Sequence, residues 1–300
     1  MSLATPAAES LPVLAPRPPL AGVRISARFT NRVILHVVKN HLRNLSPALM
    51  LAVQGPPGEG KSFQAREVLS RMGAYCVPLS GSALCGAHEG DALAPLVSAY
   101  RLASFLRKTK NALTALLIDD FDLSVAGTFE GRTYTANTQL LTGALMNLAD
   151  DPHLIAGEAA NRVPIILTGN NFESLHSPLI RHGRMEFFDW QPTVEERIAA
   201  LTGLFEGILS DQALSRLPEL LAVAPDQPVS FFATVKDDVL NNIVLTQMRA
   251  DQEINLPRLE QAVAVRYHDM EIVDLVEIAK RRLEGRPLDF VPKRKSRWGF

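Results

Sequence analysis

One eight-residue string carries the densest chemistry in this 300-residue sequence. Gly55-Pro-Pro-Gly-Glu-Gly-Lys-Ser62 fits the pattern G-x-x-x-x-G-K-[ST]. Glycines at those places let successive backbone amides wrap an anion, the lysine reaches β- and γ-phosphates, and the hydroxyl after it meets Mg²⁺. Gly55, Pro56, Pro57, Gly58, Glu59, Gly60, Lys61, Ser62 and the adjoining Phe63 are therefore the candidate nucleotide-binding residues, with ATP and Mg²⁺ as cofactors. The alternative is a tight glycine turn with an exposed lysine. Hydrolysis requires more, a carboxylate at the end of a neighbouring strand, and Leu116-Leu-Ile-Asp119-Asp120 supplies two. Asp119 is expected to join Ser62 at the metal, directly or through water, and Asp120 to polarise the attacking water. Asp122 reads as a cap or loop acid. Asn170, ending Thr168-Gly-Asn170, is the candidate sensor of the γ-phosphate, against the plainer reading of a turn asparagine. Arg181 and Arg184 flank a glycine in Ile180-Arg-His-Gly-Arg184. So far along the chain, a cation meets phosphate only from a neighbouring subunit, as an arginine finger does.

The elements that must hold these residues follow from periodicity. Phe29, Val33, Val37 and Leu45 recur at helical spacing before Ser46-Pro47. The apolar run 48–53 enters the glycine string, and 63–72 continues as a helix. Two further unbroken apolar runs, 115–118 and 163–167, end in Asp119-Asp120 and in Thr168-Gly-Asn170. Hydrophobic strands separated by helices imply a parallel sheet covered on both faces. Residues 139–149 read as a helix and 123–132 as a mobile loop. Thr193 with Glu196 is a capping box that opens a new helical region, and 256–283 is helical in one or two pieces.

The expected organisation is a flexible Pro/Ala-rich tail over 1–24, an α/β P-loop domain with a parallel sheet over 25–190, a smaller α-helical lid over 191–285, and a basic tail over 286–300. Lys and Arg total 31 against 32 Asp and Glu, a net charge of −1, so no basic field draws nucleic acid or a membrane. No stretch approaches 18 uncharged apolar residues, which excludes a transmembrane helix, and the first 24 residues have no signal-like apolar core. Cys76 and Cys85 fit neither a disulfide framework nor a zinc spacing, so a reduced, cytoplasmic setting is expected.

The order of phosphate loop, Asp-Asp strand, Asn and Arg-x-Gly-Arg resembles the AAA+ ATPases. The intervening text resembles their Rubisco activase branch: Phe29-Thr-Asn-Arg-Val-Ile-Leu-His-Val-Val-Lys-Asn40, Gly60-Lys-Ser-Phe-Gln64, Ala144-Leu-Met-Asn-Leu-Ala-Asp150, and 163–170 running on to Ser177-Pro-Leu-Ile-Arg-His-Gly-Arg-Met-Glu186. The similarity extends from about residue 29 to about residue 240. It implies an ATPase, yielding ADP and phosphate, that self-associates into a hexameric ring, with Arg181 and Arg184 completing the next subunit's site. It implies a protein client, inhibited Rubisco, from which bound sugar phosphates are released. It also implies a pore loop over 84–91, with His88 where many unfoldases carry an aromatic, and a second sensor at Lys236, where the family's arginine loses its bidentate fork. The alternatives are an AAA+ remodeller of an unrelated protein complex, or a nucleic-acid-associated loader using the basic tail.

Overall fold

A computed structural model describes residues 11–85, 93–122, 136–173, 175, 177–251, 254–267 and 271–285. Expectations for His88 and the rest of the pore loop beyond Cys85, for the loop 123–132 and for the basic tail lie outside these residues. The chain divides into two compact units, Met1–Leu20 with Ser26–Gln191, and Ala21–Ile25 with Pro192–Phe300.

The first unit is built on five parallel strands in the order β2-β3-β6-β1-β7. In chain order these are β1 (Met50–Gln54), β2 (Tyr75–Ser80), β3 (Thr114–Asp119), β6 (Ile165–Gly169) and β7 (Met185–Asp189), with a short hairpin of β4 (Leu154–Ile155) and β5 (Glu158–Ala159) apart. Strands β3 and β6 are buried at every residue, as continuous apolar runs in a doubly covered parallel sheet must be. The sheet edges, β2 and β7, were not foreseen. Pro78 lies within β2 and is tolerable because β2 is an edge strand, while β7 is only partly covered, with Met185 and Phe188 buried and Phe187 and Asp189 exposed. Helix α1 (Ala27–His41) precedes β1, and α2 (Lys61–Arg71), α3 (Leu93–Lys110) and α4 (Ala136–Asp150) follow β1, β2 and β3 in turn. The Ser26 hydroxyl caps α1 by accepting from the Phe29 amide, and Phe29, Val33, His36, Val37 and Asn40 form its buried face. The helix ends at His41, leaving Leu45 exposed outside it.

The N-terminal segment departs from the expected loose tail. Leu14 and Cys76 exchange backbone hydrogen bonds of 2.8 and 2.9 Å, so the segment pairs with the free edge of β2. Farther on, Arg17 and the Leu20 amide bind the fully buried Glu67 carboxylate of α2, at 2.9 and 3.0 Å. Prolines held near extended geometry lose little entropy when laid along a strand edge, which composition alone does not convey.

The second unit is helical: α5 (Val194–Phe205), α6 (Asp211–Leu214), α7 (Leu217–Val223), α8 (Val229–Asp251), α9 (Leu256–Tyr267) and α10 (Ile272–Leu283). The region 256–283 is thus two helices. Thr193 and Glu196 form the expected capping box. Leu201, Phe205, Leu217, Leu220, Phe232, Val235 and Leu275 make the core, and Arg282 forks onto the buried Asp238 at 2.7 and 2.9 Å. Gly22 and Gly203 meet so closely that a Cβ on Gly203 would stand 2.0 Å from the Gly22 carbonyl oxygen. Among the described residues, no helix is long and apolar enough to cross a membrane. Both cysteines are free, and burial with the nearby Asp119 charge pushes the Cys76 thiol up to about 12.

Candidate functional site

The glycine string turns tightly between β1 and α2. Gly55 has φ +151°, and a Cβ there would lie 2.1 Å from the Trp190 carbonyl oxygen. Gly58 and Gly60 are left-handed at φ +79° and +70°, and α2 starts at Lys61 directly after Gly60. The loop is therefore followed by the unpaired amides of a helix N-terminus, a favourable anion site. Trp190 secures its base. The Trp190 amide donates to Gln54 O at 2.7 Å and its indole N–H to Glu59 O at 3.1 Å. The indole sits edge-on to Phe29 with centroids 5.0 Å apart, and the Arg28 guanidinium lies 4.8 Å from its ring centre. Pro56 and Pro57 stiffen the loop, and Phe63 projects exposed from α2.

Lys61 Nζ donates to Gly55 O at 2.7 Å, Pro56 O at 2.9 Å and Asn170 Oδ1 at 3.2 Å. Burial lowers the ammonium pKa, against the opposing charges of Asp122, Asp120 and Glu59. The cation is thus partly desolvated and held by neutral oxygens, the condition in which a phosphate is a better partner.

Asp119 ends β3. Its Oδ1 accepts from the Thr168 hydroxyl at 3.2 Å, and its Oδ2 pairs with Arg66. Ser62 Oγ lies 2.9 Å from Thr168 Oγ1. A threonine hydroxyl has one proton, and here it goes to the carboxylate, so Ser62 donates to Thr168. Both Ser62 lone pairs are then free for a cation, which is the fit that a Mg²⁺ site at Ser62 and Asp119 requires. Asp120 is left-handed at φ +52°, and its amide donates to Thr168 Oγ1 at 3.4 Å. Gly81 makes that turn possible, since a Cβ there would fall 2.2 Å from the Asp120 carbonyl oxygen.

Two residues belong here that the sequence did not mark. Thr168 is fully buried and joins Ser62, Asp119 and Asp120; only its place at a strand end hinted at this. Asp122, expected to be a loop acid, accepts from the Asn170 amide through Oδ2 at 2.8 Å, while its buried Oδ1 has no hydrogen-bond partner. It also heads the charges acting on Lys61.

The remaining candidates stand elsewhere. Arg184 forks onto Asp150 at 2.7 and 2.6 Å and donates to Pro178 O at 2.8 Å. Arg181 is exposed; its backbone carbonyl accepts from the Arg184 amide at 3.0 Å, and its side chain makes no hydrogen bond or ion pair with a described residue. Both precede β7, whereas the loop, Asp119 and Asn170 follow the strands β1, β3 and β6. All five strands are parallel, so these groups lie at opposite ends of the strands, separated by roughly 16 Å for a five-residue strand at about 3.3 Å per residue. Lys236 lies in the second unit, where Nζ donates to Leu204 O at 3.0 Å.

Residues 50–192 match the family model described as ATPase family associated with various cellular activities (AAA). The chain is 34% identical over 225 residues to the ribulose bisphosphate carboxylase/oxygenase activase of Nostoc sp. (strain PCC 7120), covering 72% of this chain and 53% of that protein. The chloroplastic enzyme of the same name from Phaseolus vulgaris is 37% identical over 234 residues (74% and 52%), and that from Zea mays 36% over 232 (74% and 53%). The chain spans about half the length of the curated relatives it matches.

Proposed function

We propose that this chain, a Rubisco activase-like AAA+ ATPase, works as a ring whose nucleotide sites are each completed by a neighbouring copy. The observation that carries this reading is the separation of the site's parts. The phosphate loop and carboxylates occupy the C-terminal ends of the parallel strands, and the Arg181–Arg184 pair the N-terminal ends. One copy cannot bring them together, but a head-to-tail arrangement can.

In this reading, loop amides of 55–60 and Lys61 bind the ATP phosphates, and Lys61 gives up its loop carbonyls to do so. Ser62 and Asp119 hold Mg²⁺, Thr168 fixing both. When bound there, the metal would supply charge neutralisation at the phosphates. Asp120 orients and polarises water, Asn170 senses the γ-phosphate, and Asp122 aims the Asn170 backbone. Of the two arginines, Arg181 is the free one and meets the neighbour's nucleotide, while Arg184 is committed to Asp150 and positions the turn that carries it. Lys236 serves as the second sensor. A protein client, and Rubisco as that client, are proposed from the activase names of the relatives, and a hexamer from the resemblance to the ring-forming family.

The test mixes two inactive variants. Lys61→Ala and Arg181→Ala proteins should each lack ATPase activity and recover part of it once co-assembled, because some interfaces then pair an intact loop with an intact arginine. Co-assembled rings without recovery, or a fully active monomer by light scattering, would refute the shared site. Stimulation of hydrolysis by inhibitor-bound Rubisco and not by DNA is expected for the client; the reverse result would support a nucleic-acid loader.

A further inference from the structure

We propose that a cleft at the N-terminal ends of the strands, distant from the same copy's phosphate loop, binds a small multiply charged phosphate anion or phosphate ester. The cleft has a volume of about 870 Å³ and lies between the α1–β1 connection, the end of α3, the β4 approach and the turn before β7. That size is in the range of small-molecule sites, on the order of 300–1,000 Å³.

Its charge is strongly one-sided. Arg43, Arg107, Arg162, Arg181 and Arg184 line it, against Asp150 and Asp151. Asp150 is consumed by its fork with Arg184, and Asp151 Oδ1 accepts from the His153 amide at 3.1 Å. No carboxylate among the described residues pairs with the other four guanidiniums. Two of these are recessed. Arg107 donates to the carbonyls of Asn40 and His41, each at 3.4 Å, and of Arg162. Arg162 donates to Asn40 Oδ1 at 2.8 Å and to Pro47 O. Burial lowers the pKa of both, and each meets only neutral oxygens.

Recessed guanidiniums without a counter-charge are costly unless an anion arrives, and their planar forks match phosphate oxygens two at a time. Arg43, exposed on the lining of the same cleft, is the cation proposed to close on such a ligand, and Arg181, assigned above to the neighbouring nucleotide, is not counted among its contacts. His41 is not a ligand. Its Nδ1 is bound to Val37 O at 2.8 Å, its Nε2 accepts from the Thr114 amide at 3.1 Å, and burial first of all pushes its pKa down to about 4, so the ring stays neutral. The inference does not depend on hydrolysis or on the ring.

The probe is inorganic pyrophosphate, titrated calorimetrically into the full chain carrying Lys61→Ala, which removes the phosphate loop from the reading. Saturable binding is expected, weakened at least about tenfold by adding Arg43→Glu and partly retained with Arg43→Lys, as for one charge-assisted contact. If Lys61→Ala impairs folding, parental protein saturated with a non-hydrolysable ATP analogue serves as the background. Absence of binding at roughly 10 mM, or equal affinity in the Arg43→Glu protein, would overturn the proposal. So would a change of oligomeric mass in Arg43→Glu without pyrophosphate binding, which would assign the cleft to an acidic segment of a second copy.

Discussion

Deleting residues 1–20 tests whether the N-terminal strap is structural, and Glu67 sets the size of the effect. Its carboxylate, fully buried in α2, takes bonds from Arg17 at 2.9 Å, the Leu20 amide at 3.0 Å and Arg71 at 2.9 Å. The deletion removes the first two, with both backbone bonds between Leu14 and Cys76. Hydrogen bonds to a charged group are worth about 1.5–3 kcal/mol each when buried. Arg17 is 44% exposed, so its share belongs at or below the lower end, and water reaching the uncovered carboxylate recovers part of the rest. A net loss of about 2–3 kcal/mol follows, or roughly 5–10 °C in Tm for a unit of this size. The loss should depend on pH. Burial alone would raise the Glu67 pKa, but Arg71, the Leu20 amide and Arg17 hold it below the usual carboxylate range. A depressed folded-state pKa gives stability that is present above the unfolded value of about 4.3 and disappears as pH falls through the folded one. The Tm gap between full-length and shortened proteins, read by scanning fluorimetry at pH 7.5 and again below pH 4, should therefore narrow in acid. A shortened protein melting within about a degree of the parent at pH 7.5 would refute the argument, because it would leave Glu67 with no stabilising contribution from the strap.

Acid should weaken the first unit well before the carboxylates titrate. His36 is buried with Nε2 3.2 Å from Ile165 O, and burial above all pushes its pKa down to about 3. The unfolded chain takes up that proton near pH 6.5 and the folded one does not, so stability falls between pH 6.5 and 5, by about 1.4 kcal/mol per pH unit for His36 and a similar slope for His41. Urea unfolding of His36→Leu across that range should show a slope reduced by about one proton; an unchanged slope would exclude His36 as a source. Thr168→Val, which keeps the shape and removes the hydroxyl linking Ser62 to Asp119, should cost about 1.5–3 kcal/mol, roughly 3–10 °C in Tm, and at temperatures well below that Tm should lower ATPase activity at least about tenfold and raise the Mg²⁺ concentration needed for half-activity. Parental Mg²⁺ dependence in that variant would remove Thr168 from the site.

Much of the site could be read from short-range pattern, because its parts sit where apolar runs stop. The apolar runs 48–53, 115–118 and 163–167 fall in β1, β3 and β6, the three central strands, whose near-complete burial demands unbroken hydrophobicity. The edge strands were lost for the complementary reason. Partial exposure of β7 and Pro78 in β2 weaken the periodic signal where coverage is incomplete. Thr168 and Asp122 act through partners 48 or more positions away, Asp119 being 49 from Thr168 and Asn170 48 from Asp122. No local spacing encodes such a meeting. The strap was misjudged because Pro-rich composition describes the entropy of a free segment and says nothing of Glu67, the buried charge that recruits it.

The two arginines show how a sequence motif resolves into separate physical parts. In Arg-x-Gly-Arg they look equivalent, but Arg184 has 17% of its side chain exposed and both ends of a carboxylate to hold, while Arg181 stands in solvent. The Arg184 fork partner Asp150 has its pKa lowered by the Arg184 hydrogen bond first of all, so that pair stays ionised throughout neutral pH. A guanidinium so occupied would have to break a bidentate pair before meeting another anion, whereas Arg181 need only reorient. The difference also bears on the cleft behind them. Asp150 neutralises one cation at its wall and leaves the others unmatched, so the fork that positions the Arg181 turn also sets the net positive charge that an incoming phosphate would meet.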